Sequence, residues 1–168
     1  MVTLFIASSL DGFIAGPKED LSWLFHDRDY GYKKFLKSID TVVMGRKTYD
    51  FGKQYSNPPF PGKRNIVVTK NKKLPGTSSE IIFCSLNQSY KLISSKGTSK
   101  NIWLVGGSSL ISGFINKDFL DKIVLSVHPV ILGQGIPLFK KINKIKKLKL
   151  IGCKFYSSGL VQLTYRII

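Results

Sequence analysis

Acidic residues are scarce in this sequence: 10 Asp and Glu stand against 26 Lys and Arg, a formal net charge of +16 over 168 residues. So one-sided a balance points to an anionic partner (nucleic acid, membrane headgroups or a phosphorylated small molecule) and says little about fold. Cysteine is scarcer still. Cys84 and Cys153 form no C-x-x-C pair, and His26 and His128 share no ligand spacing with them, so no metal site is expected. Two free, largely buried thiols in a reducing compartment are the expectation. No apolar run is long enough to span a bilayer. The opening VTLFIASS also lacks the basic leader and cleavage site of a signal peptide, so a cytoplasmic setting is expected. Neither G-x-G-x-x-G nor G-x-x-x-x-G-K-[ST] occurs, which sets aside the classical dinucleotide fold and the P-loop hydrolases. At 43% hydrophobic and without repeats or a linker, residues 1–168 read as one folded domain.

What is present alternates. Val2 to Ala7 reads as a first strand, the stretch Ser8 to Gly12 as a turn, and Phe13 to Ala15 as a further extended run. Tyr32, Phe35, Leu36 and Ile39 share one helical face, with Asp27 or Asp29 available as cap. The β-branched run Asp40 to Met44 predicts a strand ending at Gly45, and a helix is expected from Arg46 to about Phe51. Asn57 to Gly62 must be a loop. Asn65 to Thr69 and Ile81 to Phe83 predict strands, Leu86 to Ile93 a helix. After IWLVGG comes a helix with Leu110, Ile111, Phe114 and Ile115 on one face, then a strand from Lys122 to His128. Pro129 to Phe139 holds too much Gly and Pro for one regular element, and two strands, Lys147 to Phe155 and Leu160 to Ile168, close the chain as an antiparallel pair. The order predicts an α/β fold: a mainly parallel sheet, helices on both faces, and an antiparallel C-terminal edge.

In such a sheet ligands favour the carboxyl ends of strands. Two strands end there in glycine corners, Met44-Gly45-Arg46-Lys47-Thr48-Tyr49 and Val105-Gly106-Gly107-Ser108-Ser109. Free helix N–H groups, with Arg46 or Lys47 adding charge, suit an anion, and Gly106-Gly107 lets a flat ring or pyrophosphate approach the main chain. Each corner also has a plain reading: a packing turn in one case, solvated basic residues in the other.

Four segments together resemble the signatures of the dihydrofolate reductase superfamily: Ala7 to Ala15, Met44 to Tyr49, Trp103 to Leu110, and Pro129 to Phe139. The last is less like the folate enzymes and more like the reductase (RibD C-terminal) domain of bacterial riboflavin biosynthesis and its small stand-alone relatives. The resemblance implies a three-layer fold around eight strands, binding NADPH at their carboxyl ends. It assigns Gly45, Arg46, Lys47 and Thr48 to the cofactor phosphates, and Thr69 and Lys70 to the adenosine 2′-phosphate. Val105, Gly106, Gly107, Ser108 and Ser109 fall to the pyrophosphate and nicotinamide side; Ala7, Leu10 and Ile14 border the nicotinamide. It also implies a homodimer through the C-terminal strands.

Hydride transfer needs a fixed acceptor, exclusion of water and a proton source. The family's acidic position on the first helix falls near Asp29, with Asp27 also available, though the spacing matches loosely and so argues against folate reduction itself. Asp29 reads equally as a helix cap and Asp27 as a turn residue. Trp23 and His26 are candidates for the substrate pocket, Trp23 by stacking or else as core filling. Asp11 reads as a local turn residue and His128 as structural. The function expected is NADPH-dependent reduction of a small heterocyclic, carbonyl or imine substrate, similar to 5-amino-6-(5-phosphoribosylamino)uracil reductase, whose usual fused deaminase has no room here. Two alternatives stay open: a noncatalytic NADP-binding protein, and a nucleic-acid-binding protein using Lys140, Lys141, Lys144, Lys146, Lys147 and Lys149. That lysine run lacks interleaved stacking aromatics, which ranks nucleic acid below a small-molecule ligand.

Overall fold

The computed structural model describes residues 1–71, 79–95 and 101–168. Along the chain run β1 (Val2–Ser9), β2 (Phe13–Ala15), α1 (Tyr32–Ser38), β3 (Thr41–Gly45), α2 (Arg46–Gly52), β4 (Arg64–Val68), β5 (Ile81–Cys84) and α3 (Leu86–Ser94). Then follow β6 (Ile102–Gly106), α4 (Ser108–Asn116), β7 (Lys122–His128), the two-residue β8 (Ile136–Pro137), β9 (Leu148–Phe155) and β10 (Val161–Ile167). Eight strands form one sheet in the order β5-β4-β3-β6-β1-β7-β10-β9; β2 and β8 form a separate small pair. The strands from β5 to β7 are parallel, and β10 and β9 join them antiparallel. This is the three-layer α/β architecture that the pattern predicts.

The central strands are apolar on both faces because both faces are covered. Val43, Ile66 and Leu104 point toward α3 and α4, where they meet Tyr90, Ile111 and Phe114. Their neighbours Val42, Met44, Val67 and Trp103 point toward α1 and α2, packing with Tyr49 and Phe35. Phe114 is fully buried, so truncating it to alanine would cost about 3–5 kcal/mol, as large core aromatics do. On the other side Phe5 stacks on Phe35 at 4.5 Å, and Trp103 is enclosed by Tyr32, Phe35 and Phe60. Among the described residues no helix is long and apolar enough to cross a membrane.

One expectation needs correction and another needs extending. Cys84 is buried, but Cys153 is exposed on β9, which among the described residues is the outermost strand of the sheet. Asp11 sits in the turn after β1, as expected, and bonds Ser9 locally, but it also reaches beyond the turn. Its carboxylate accepts from Leu132 N at 3.2 Å and Gly133 N at 2.7 Å, so it ties the turn after β1 to the Gly/Pro segment. Leu10 N donating to Val130 O and Leu138 N donating to Gly12 O, each at 2.8 Å, complete that seam.

Candidate cofactor and substrate site

The sheet order creates a crevice. Strand β6 inserts between β3 and β1, and the neighbours β3 and β6 send their chains to opposite faces: β3 into α2, β6 into α4. Such a switch point leaves the carboxyl ends of the two strands uncovered, and here both carry glycine corners. The corners meet. A Cβ placed on Gly45 would lie 3.5 Å from Gly106 O and 3.8 Å from Gly107 N. Gly106 has φ +130°, a conformation closed to ordinary L residues, and joins Gly107 through a cis peptide. A Cβ on Gly107 would touch nothing within 4 Å.

Beside this junction lies a cleft of about 630 Å³, bounded by Gly45, Thr69, Lys70, Ser85, Gln88 and Ser109 among others. The structure thus brings Gly45, Thr69, Lys70 and Ser109 to one cavity. Ser109 is exposed, and Lys70 stands exposed beside Thr69, whose hydroxyl accepts from Asn71 N at 3.1 Å. Ser108 is buried, and its hydroxyl donates to Pro137 O, leaving its main chain for the opening of α4. Arg46 lies back along α2. Its Nε contacts both Asp50 oxygens, at 3.0 and 2.9 Å, and its guanidinium sits 5.9 Å from the Phe83 ring. Lys47 is exposed and pairs with Glu19 at 2.8 Å. Thr48 is half-buried in α2, and Val105 packs on the α1 and α2 core. Ala7 is half-buried, Leu10 exposed, and Ile14 packs against the α3 and α4 core.

Ser85 and Gln88 are cleft residues that sequence reading missed. Their signal was Ser85-Leu86-Asn87-Gln88, a capping-box pattern. The box forms: Ser85 Oγ accepts from Gln88 N at 3.3 Å, and Gln88 Oε1 accepts from Ser85 N at 2.8 Å. That it borders the cleft follows only from β5 lying beside β4. A second hollow of about 750 Å³, bounded by Met1, Asp121 and Arg166, lies at the amino ends of β1 and β7, the end of the sheet opposite the corners.

The candidate proton and substrate groups lie elsewhere, on the segment before α1. Asp29 Oδ1 accepts from Lys33 N at 2.9 Å and its carbonyl from Tyr32 N at 2.9 Å, so it serves the opening turn of α1. Asp27 accepts from Tyr30 Oη at 2.5 Å and Arg28 Nε at 3.3 Å. The tyrosine bond, helped by Arg28, holds its carboxyl below the usual range. Tyr30 Oη also meets Ser158 Oγ at 2.8 Å, pinning this segment to the β9–β10 turn. His26 is exposed, and α1 itself contains no carboxylate. Trp23 packs edge-on against His128 at 5.1 Å, and Phe25 lies 4.9 Å from the same ring.

Comparison with known proteins agrees with this architecture. The dihydrofolate reductase family model matches residues 1–148. The chain belongs to the dihydrofolate reductase family. It is 38% identical to the uncharacterized protein YyaP of Bacillus subtilis, covering 98% of this chain and 93% of that protein. A putative riboflavin biosynthesis protein from Shewanella sp. PV-4 superposes with TM-score 0.83 at 25% identity, covering 99% of this chain and 98% of the other. The diaminohydroxyphosphoribosylaminopyrimidine deaminase/5-amino-6-(5-phosphoribosylamino)uracil reductase of Thermotoga maritima shares the fold, with TM-score 0.76 at 18% identity. That match covers 100% of this chain but 56% of the larger protein. At that identity the likeness to the Thermotoga protein is one of fold.

Proposed function

We propose that this protein is an NADPH-dependent reductase of a small heterocyclic, carbonyl or imine substrate. The observation that carries the reading is the meeting of two glycine corners at the switch point, beside a cleft edged with hydroxyls, an amide and a lysine. These residues fit a phosphate-bearing dinucleotide. Gly106 and Gly107 present bare backbone, and the N–H groups that open α4 at Ser108 and Ser109 have no partner in the preceding turn. Thr69 and Lys70, with Ser85 and Gln88 opposite, form a polar, cationic rim suited to a 2′-phosphate, and Gly45 to Thr48 flank the pyrophosphate. When bound, NADPH supplies a hydride. The chain's own part is to hold the cofactor, orient the acceptor, exclude water and provide a proton. Trp23 and His26 are the proposed substrate-side residues.

Dihydrofolate is disfavoured as the substrate, because α1 offers no carboxylate and both nearby aspartates are engaged in structural hydrogen bonds. The protein is read as cytoplasmic and as a homodimer. Leu150, Cys153 and Phe155 on β9 and Leu163 and Tyr165 on β10 share the α4-side face, with Leu150 and Phe155 exposed. Lys149, Lys154 and Arg166 point to the opposite face. Two copies can therefore join apolar faces without bringing these cations together.

The deciding experiment is a fluorescence titration with NADPH and NADH at equal ionic strength. Saturable binding, at least tenfold tighter for NADPH, is expected. Absence of binding on folded protein would remove the reductase reading.

A further inference from the structure

His128 ends β7 in register with Ser9 of β1. Paired residues on neighbouring strands share a face, and so do alternate residues along a strand. His128 therefore projects from the same face as Ala7, Ser9 and Ser126, the face that α1 and the segment before it cover. Ala7 and His128 stand on adjacent strands two residues apart, which strand geometry converts to about 8 Å between Cα atoms. The ring is only 4% exposed, walled by Trp23 and Phe25. Nδ1 lies 3.3 Å from Ser126 O. A carbonyl only accepts, so Nδ1 carries the proton of the neutral ring and Nε2 is left for another partner. No described hydrogen bond ends on Nε2.

On the reductase reading above, we propose that His128 is the proton donor of the site and that Trp23 and Phe25 are the walls that shield it from water. The step balances simply. NADPH would supply the hydride, and the part of His128 would be the proton: as the π bond to oxygen or nitrogen gives way, that heteroatom would take the Nε2 proton of the imidazolium form, leaving the neutral ring protonated on Nδ1. Solvent then returns a proton to the imidazole. Burial holds the imidazole below its ordinary pKa. The charged groups facing it, Asp27 and His26, both come from the covering segment and act in opposite directions. β1 and β10 contribute Ser9 and Gln162, neither of which titrates near neutrality. The donor form therefore grows as pH falls, and turnover of any accepted substrate should rise toward acid until the ring is fully protonated.

The test needs no substrate. The chain has two histidines, so the exposed variant His26→Gln leaves the His128 ring signals assigned in an NMR titration between about pH 4 and 9. The titration is run on free protein, with NADPH and with NADP⁺. The oxidised nicotinamide carries a positive charge that the reduced ring lacks. At roughly 8 Å, the spacing of Ala7 from His128, it should lower the His128 pKa by about half a unit to one and a half units relative to NADPH. Both cofactors binding with His128 unmoved between them would overturn the assignment while sparing the reductase reading. Failure of both to bind would sink the reading and this inference with it.

Discussion

A side chain at Gly107 would project into open space, whereas one at Gly106 would be forced into a conformation at φ +130° that costs about 1–3 kcal/mol. The two neighbours thus separate a folding requirement from a ligand requirement. Gly107→Val should fold normally and bind NADPH at least tenfold more weakly in the fluorescence titration. A folded variant of unchanged affinity would mean that the corner is only a packing turn. Glycines were legible in the sequence because their conformational licence is local. Ser85 and Gln88 were legible as a helix start but not as cleft residues, since that role depends on which strand lies beside β5. His128 read as structural because nothing in VLSVHPV announces that Trp23 and Phe25, a hundred residues earlier, close over it. Cys84 lies at the end of β5, and burial pushes its thiol up to about 11, so it is no reactive nucleophile despite bordering the ligand end of the sheet.

At the scale of elements, periodicity served well where an element is buried on a predictable side. The run before Gly45 read as a β-branched strand, and the segments from Tyr32 to Ile39 and from Leu110 to Ile115 as helices with one apolar face. Where it fell short was at ends and pairings. β1 continues through Ser9 because β7 runs alongside it to His128, and β2 exists because the Gly/Pro segment folds back to pair Phe13 with Pro137. The insertion of β6 between β3 and β1, which makes the crevice, has no local signature at all. Helix α3 gives a clean test of element energetics, since its capping box satisfies two N–H groups from one serine and one glutamine. Ser85→Ala should lower stability by about 1 kcal/mol in chemical denaturation, with unchanged denaturant slope. A change below a few tenths would mean that solvent replaces the cap.

For the whole molecule, the arrangement of charge matters more than its sum. From Lys122 to Ile168 there are eight lysines, one arginine and no acidic residue. On β9 and β10 the cations and the apolar side chains nevertheless point to opposite faces, which suits self-association. Light scattering at micromolar concentration should give twice the monomer mass, and Leu150→Asp combined with Phe155→Asp should halve it without unfolding. A wild-type protein that scatters as a monomer ends the dimer proposal. The register Val2 to Ile102 and Thr3 to Lys122 carries a different consequence. β1 has no sheet partner until about a hundred further residues are made, a wait on the order of 5–20 s at cellular elongation rates. Throughout that interval VTLFIASS is a naked, two-sided apolar segment, so the nascent chain is a natural client for chaperones until β6 and β7 arrive to cover it.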